Sequence, residues 1–427
     1  MMTLYHALSC LAGLALAPLF AAWSGLTGRK RRGLGHYFGF LPPVPRPRPK
    51  TLWLHALSVG EVHAAAPILQ AIRAKRPDLR QVVTVTTDAG YAAARSKLTG
   101  VEVIGFHPLD CWPFLRLALR RVRPDLFALM DTGFWPGLFD LLRARGVPMV
   151  LLNGRVSKRS LERYRRFPWL TRPLMRGFSK IFMQSEEGVQ AMVALGADPA
   201  ATRSLGNVKY DLAAPGSPAS RDRSLAALGL EPGTRLLLAG STHAGEEAIL
   251  LEAWQRLREK FPDLVLMLAP RRLERLGEIE ALLREQGVAY RQRSAEDGPR
   301  APVILLDTMG ELAGFYPAAA AAFVGRSLIA PGGGHSLIEP AAAGVPVLHG
   351  PFIENSGQQA QDLAPTGALF AVKDAGDIAA VVARLLTDPA AVSALGQRAR
   401  AVIQAKQGAA GHLAEEVLGL LDPGPVK

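Results

Sequence analysis

Thr51-Leu52-Trp53-Leu54-His55-Ala56-Leu57-Ser58-Val59-Gly60-Glu61 is the stretch that decides the fold. Its first six residues read as a buried strand, and the pattern over 61–75, ending before Pro77, reads as a helix. A glycine between them lets the backbone turn tightly from one element into the next.

Outward from this unit the alternation repeats. Strands are expected at 81–86 and 101–104, with a helix near 89–97 between them, and short apolar runs follow at 125–130 and 148–152. Alternation of this kind predicts a mostly parallel sheet with helices on both faces. Ala213-Ala214-Pro215-Gly216-Ser217-Pro218-Ala219-Ser220 interrupts it and reads as a linker. Beyond it strands are expected at 235–239, 264–269, 303–306, 321–324 and 345–348, with helices over 390–406 and 411–421. The expected architecture is α/β: two doubly wound Rossmann-like halves with a central cleft, ligands binding at carboxyl ends of strands. The boundaries are 1–28 for an anchor, 29–212 for the first domain, 213–224 for the linker and 225–427 for the second. The last helix is expected to be able to pack back on the first domain.

Composition sets the class. A chain of 427 residues, 49% hydrophobic and 20% charged, is long enough for two cores and too apolar for disorder. Its formal charge of +13 favours anionic partners. Cys10 and Cys111 form no CxxC pair, which argues against a disulfide scaffold or a cysteine zinc site. Residues 4–23 carry no charged side chain, and Arg29-Lys30-Arg31-Arg32 follows them. A basic cluster behind the apolar run predicts an uncleaved N-terminal membrane-anchor helix, with the rest of the chain on the cytoplasmic side. A stiff connector, Pro42-Pro43-Val44-Pro45-Arg46-Pro47-Arg48-Pro49, comes next.

Chemistry is expected where strands end. Glu61, at the start of its helix, either accepts a proton from an incoming hydroxyl or simply complements the helix dipole. Gly332-Gly333-Gly334-His335-Ser336-Leu337-Ile338-Glu339-Pro340 opens a short helix whose free N–H groups would suit a phosphate, with Glu339 in reach of a ribose. The other reading is a glycine turn without function. Ser241 and Thr242 follow one strand, and Arg271 follows another where a phosphate would sit. There is no GxxxxGK[ST] loop, DxD triplet or HExxH, so no metal or ATP motif is present. From 155 to 180 the basic residues Arg155, Lys158, Arg159, Arg163, Arg165, Arg166, Arg172, Arg176 and Lys180 face only Glu162. With the anchor, that segment points to an anionic membrane surface rather than nucleic acid.

These motifs, in order and spacing, resemble the 3-deoxy-D-manno-octulosonic acid (Kdo) transferases of lipopolysaccharide synthesis over nearly the whole chain. The resemblance rests on Trp53-Leu54-His55-Ala56 with Ser58-Val59-Gly60-Glu61, Asn153-Gly154-Arg155-Val156-Ser157 and Gly206-Asn207-Val208-Lys209-Tyr210-Asp211. It continues through Gly240-Ser241-Thr242-His243, Ala269-Pro270-Arg271, Met309-Gly310-Glu311-Leu312, Phe323-Val324-Gly325 and Gly333-Gly334-His335 with Glu339-Pro340. It implies a GT-B fold and an inverting, metal-independent transfer of Kdo from CMP-Kdo to a lipid A precursor (lipid IVA) at the inner membrane, with no cofactor. On that likeness Glu61 is the catalytic base. Ser241, Thr242, Arg271, Gly334, His335 and Ser336 meet the donor and its phosphate. Met309, Gly310 and Glu311 lie near the cytosine, and Glu339 meets the ribose. Ser58, Gly60, Asp131, Arg155 and Lys209 are implied acceptor or sugar contacts.

Departures are visible. The family's ETE-x-WPN run is here Asp131-Thr132-Gly133-Phe134-Trp135-Pro136-Gly137, a usual glycine after Gly325 is Arg326, the histidine after Pro-Arg is Arg272, and an asparagine after His335 is Ser336. The rival readings are a GT-B transferase or epimerase for another nucleotide sugar, and a catalytically altered membrane-tethered relative.

Overall fold

The computed structural model describes residues 2–26, 33–44, 50–213, 215–295 and 301–422. They form two compact units, one of Met1–Leu212 with Gln407–Lys427 and one of Ala213–Lys406.

The first unit is built on β1 (Thr51–Ala56), β2 (Arg80–Val85), β3 (Val103–Phe106), β4 (Leu126–Met130), β5 (Met149–Gly154), β6 (Lys180–Met183) and β7 (Thr202–Ser204). Their order in the sheet is β3-β2-β1-β4-β5-β6-β7, and every pairing is parallel. The second unit has β8 (Leu236–Thr242), β9 (Val265–Pro270), β10 (Tyr290–Gln292), β11 (Val303–Leu305), β12 (Ala321–Val324), β13 (Val347–His349) and β14 (Leu369–Ala371). Here the order is β10-β11-β9-β8-β12-β13-β14, again parallel throughout. Parallel sheets are covered on both faces, which is why β1, β4 and β9 are buried at every position. Leu52 and Leu54 face one apolar cluster while Trp53 faces another across the sheet, as the strand's period of two requires.

Each sheet reverses its direction of growth once. The chain leaves β1 towards β2 and β3, then crosses back to place β4 on the other side; β8, β9 and β12 repeat the move. Loops at such a switch point diverge and leave a crevice at the carboxyl ends of the strands.

Several boundaries differ from expectation. Residues 218–224 of the expected linker belong to the helix Pro218–Ala227, started by a capping box between Ser217 and Ser220 with proline in its first turn. Proline, read from composition as a linker residue, is here a helix starter. The second domain does not run to 427. The helix Ala409–Leu421 belongs to the first unit, where Leu413, Ala414, Val417 and Leu421 join the cluster of Ala65, Ile68 and Ile72 from the helix Val59–Lys75. Asp211 fixes its start by accepting from the N–H groups of Gly408 and Ala410. β6 and β7 went unread because one is embedded in the basic segment and the other is short and polar.

At the amino end Met2–Leu26 is helical, with Pro18 inside it. Tyr5 donates to Asp110 at 2.6 Å and His6 meets Asp140 at 3.0 Å, tying the helix to the first unit. Among the described residues no single helix is long and apolar enough to cross a membrane. The basic cluster 29–32, the connector residues 45–49 and Ala214 of the linker lie outside the described residues.

Candidate active site

Both switch points gather the candidate residues, and both carry strain. Among the described residues, Arg123, Asp131, Asn153, Ser241 and Arg326 are the non-glycine residues with left-handed φ. All but Arg123 stand at the carboxyl ends of β4, β5, β8 and β12. Such backbone disfavours side chains, and its clustering at strand ends makes these loops candidates for function.

In the first unit, Ser58 ends the β1 turn and Glu61 is the third residue of the helix Val59–Lys75. The Glu61 carboxylate accepts from the Leu57 N–H and, at 3.1 Å, from the Ser58 hydroxyl. Burial, reinforced by the nearby Asp131 carboxylate, lifts its pKa to about 7 although the N–H and hydroxyl donors pull it down. The geometry leaves both sequence readings open. The carboxylate completes the first helical turn and is also poised to take up a proton near neutral pH. Gly60 has open space where a side chain would stand, with only the Ser58 hydroxyl near, at 4.0 Å. Asp131, just past β4, accepts from the N–H groups of Thr132 (2.8 Å) and Arg155 (3.2 Å). Burial raises its pKa while Arg155 opposes the rise. Lys209 lies in the single turn Val208–Tyr210, which Asn153 holds by accepting from the Val208 N–H at 3.1 Å.

Behind this surface lies a buried imidazole pair that the sequence did not announce. The rings of His55 and His107 are 4.0 Å apart, and Trp135 packs 4.4 Å from His107. His55 Nδ1 donates to the Thr84 carbonyl at 2.9 Å, so its unprotonated Nε2 faces away. Burial holds His55 down at about 4 and His107 lower than its usual value as well. Both rings are neutral at physiological pH.

In the second unit Val324 pairs with Gly240, so the residues after β8 and β12 leave the sheet side by side. Arg271 follows β9, its N–H bonded to the Thr242 carbonyl at 3.1 Å. His243 and His335 meet Nε2 to Nε2 at 3.0 Å with their rings stacked. Burial, then His243, Arg271 and Arg326, brings His335 down to about 4. Burial and Arg326, Arg275 and Arg272 lower His243 against the opposing Glu246. Two neutral imidazoles among guanidinium groups make a site electrostatically ready for an anion. Thr242 is fully buried, and its hydroxyl has no partner among the described residues.

The glycine loop works differently from the expectation. The helix after it spans only Ile338–Ala342, so Ser336 precedes it by two residues. Five of the loop's N–H groups are also engaged: Gly332 with Ile329, Gly333 with Phe352, Gly334 with Arg326 and His335 with Gly325, while Leu337 donates to the Gln359 side chain. What demands glycine is close approach at left-handed φ. A Cβ on Gly332 would lie 2.2 Å from Phe352, and one on Gly334 would lie 2.7 Å from Ser356. The loop is a packed platform that presents His335. Glu339 is exposed on the helix behind it. After β11, Met309 is 69% exposed, a Cβ on Gly310 would meet nothing within 4 Å, and Glu311 accepts from Thr308 and faces Arg293 at 3.6 Å.

Sequence reasoning left His243, Glu246 and Arg326 out of the site. Glu246 was visible only as an acidic residue in a helix; it is 1% exposed and its carboxylate accepts from the N–H groups of His243, Arg326, Ser327 and Leu328 at 2.8–3.0 Å. The signal for His243 was its place directly after Ser241-Thr242 at a strand end. For Arg326 it was an arginine where a glycine was expected.

Residues 32–212 match the family model of the 3-Deoxy-D-manno-octulosonic-acid transferase (kdotransferase), and residues 248–402 match that of Glycosyl transferases group 1. The chain is 34% identical to a 3-deoxy-D-manno-octulosonic acid transferase of Bordetella pertussis over 92% of its length and 94% of that protein's. It is 31% identical to one of Haemophilus influenzae, with 95% of each chain covered. Among solved structures the UDP-GlcNAc 2-epimerase of Neisseria meningitidis shares the fold, with a TM-score of 0.57 at 13% identity over 88% of this chain and 100% of that one. Two Rossmann-like units accord with what these likenesses say together: the chain belongs to the 3-deoxy-D-manno-octulosonic acid transferase family and is a glycosyltransferase.

Proposed function

We propose that the protein transfers Kdo from CMP-Kdo to a phosphorylated lipid A precursor, with inversion at the anomeric carbon and without a cofactor or metal. The observation that carries this reading is Glu61, a half-buried carboxylate at the β1 switch point with its pKa at about 7. A base so tuned takes a hydroxyl proton as the oxygen becomes nucleophilic. The acceptor O–H bond breaks towards Glu61, and the oxygen bonds to the anomeric carbon. The bond from that carbon to the phosphate oxygen breaks on the opposite side, and CMP leaves with the electron pair. Arg271 and the His243–His335 pair stabilise the charge gathering on the departing phosphate. Asp131 and Arg155 orient the acceptor, and Lys209 is a further acceptor contact.

The acceptor's lipid nature accounts for two further features. Leu4, Leu8 and Leu11 of the amino-terminal helix are exposed, as are Phe167 and Trp169 within the basic segment. Exposed apolar side chains beside many arginines suit an anionic bilayer surface, here the cytoplasmic face of the inner membrane.

The test is incubation of purified protein with CMP-Kdo generated in situ and a tetra-acylated lipid A precursor, followed by mass spectrometry. A mass gain of one or more Kdo units is expected, absent with Glu61→Gln. No transfer, together with thermal protection by UDP and none by CMP, would transfer the case to another nucleotide sugar.

A further inference from the structure

We propose that Arg326 is a ligand for the anionic part of the donor, a second guanidinium acting with Arg271 at the His243–His335 pair. The inference rests on the donor reading given above and names a residue that reading does not need.

Backbone geometry comes first. Arg326 holds φ at 60°, a conformation in which glycine is favoured and a side chain carries a steric cost. The fold fixes this backbone from both sides. Its N–H donates to buried Glu246 at 2.8 Å, and its carbonyl accepts from the Gly334 N–H at 2.8 Å. Glu246 also accepts from the His243 N–H, and Gly334 immediately precedes His335. The residue is thus stitched directly to the two segments that carry the imidazole pair. Its place after β12 at the switch point puts it beside Ser241, the other strained residue of this unit.

The side chain is exposed, and among the described residues its guanidinium makes no ion pair or side-chain hydrogen bond. Arg275 behaves otherwise: its guanidinium is forked onto Glu247 at 2.8 and 3.1 Å and is neutralised there. Arg326 acts electrostatically on both His243 and His335, so its charge reaches the pair. An unneutralised cation on a strained loop, beside two imidazoles kept neutral, has the chemistry to meet a phosphate or a carboxylate. A CMP-linked acidic sugar carries both.

The experiment is calorimetric titration of CMP into full-length wild type and the Arg326→Gly, Arg326→Gln and Arg326→Lys variants at low and high salt. Steady-state kinetics with CMP-Kdo run alongside. Arg326→Gly and Arg326→Gln are expected to weaken CMP binding on the order of tenfold, with a flatter salt dependence, and Arg326→Lys to recover part of the loss. Arg326→Gly is expected to melt at or above the wild-type temperature, because glycine relieves the backbone, which separates loss of a ligand from loss of the fold. Unchanged CMP affinity with a raised KM for CMP-Kdo supports the proposal and places the arginine on the sugar carboxylate. CMP affinity and donor KM both within twofold of wild type overturn it and leave the donor reading standing. Failure of wild type itself to bind CMP overturns that reading and this one with it.

Discussion

The two units share a plan and oppose each other in electrostatics. In each, a parallel sheet switches direction once, and strained residues stand at the strand ends beside the switch. The first unit gathers carboxylates there, Glu61 and Asp131, and burial raises the pKa of both. The second gathers arginines around two imidazoles, and burial with positive charge lowers both. The fold supplies a place for chemistry, and the side chains at the strand ends decide whether that place takes up a proton or receives an anion.

Glu61→Gln is the sharpest way to break the contrast. It should lower kcat by roughly 10²–10⁴-fold while CMP binding, which the proposal assigns to the other unit, stays at the wild-type level. Single-turnover kinetics and titration check the two halves of that statement. Next in size is Glu246→Ala, which removes the acceptor of four N–H groups in the second unit. Chemical denaturation should show a loss of about 3 kcal/mol or more, with CMP affinity falling and the first unit unaffected. Gly334→Ala should cost roughly 1–2 kcal/mol, since its Cβ would meet Ser356 and Ile353 at left-handed φ, and thermal melting reads it.

The smaller effects concern pH. Activity should fall in acid as Glu61 becomes protonated, with a limb near pH 7 in kcat/KM. Its folded pKa lies above the unfolded one, so its contribution to stability is fully present below the unfolded value and is lost as pH rises through about 7. Glu61→Gln should therefore gain melting temperature over wild type at pH 8 and lose that advantage at pH 5. Asp131→Asn removes the neighbouring charge that raises Glu61, and the acid limb should move to lower pH by a fraction of a unit. A limb that moves to higher pH would show that Asp131 does not act on Glu61 through its charge.

Legibility followed burial. The central strands β1, β4, β8, β9 and β12 were readable because strands covered on both faces must be apolar throughout. β7, β10 and β14 were missed because short, partly exposed edge strands have no such constraint. Glu61 stood out because it follows a strand and a glycine at once. The glycine loop also stood out, but in part for a reason the structure replaces: the N–H groups of Gly332, Gly333, Gly334 and His335 are bonded, and its glycines permit close packing. Glu246 carries no local mark, since its four partners lie on two loops about 80 residues apart in the chain.

By itself the sequence determined two parallel α/β cores, their order along the chain and the strand ends at which function would sit, because periodicity and turn chemistry are local. Which side chains meet across loops was decided only by the tertiary structure. So was the opposite drift of carboxylate and imidazole pKa values, whereas the return of Ala409–Leu421 to the first unit follows the expectation for the last helix. Those outcomes depend on burial and on distances between residues far apart in the chain, and folding alone sets both.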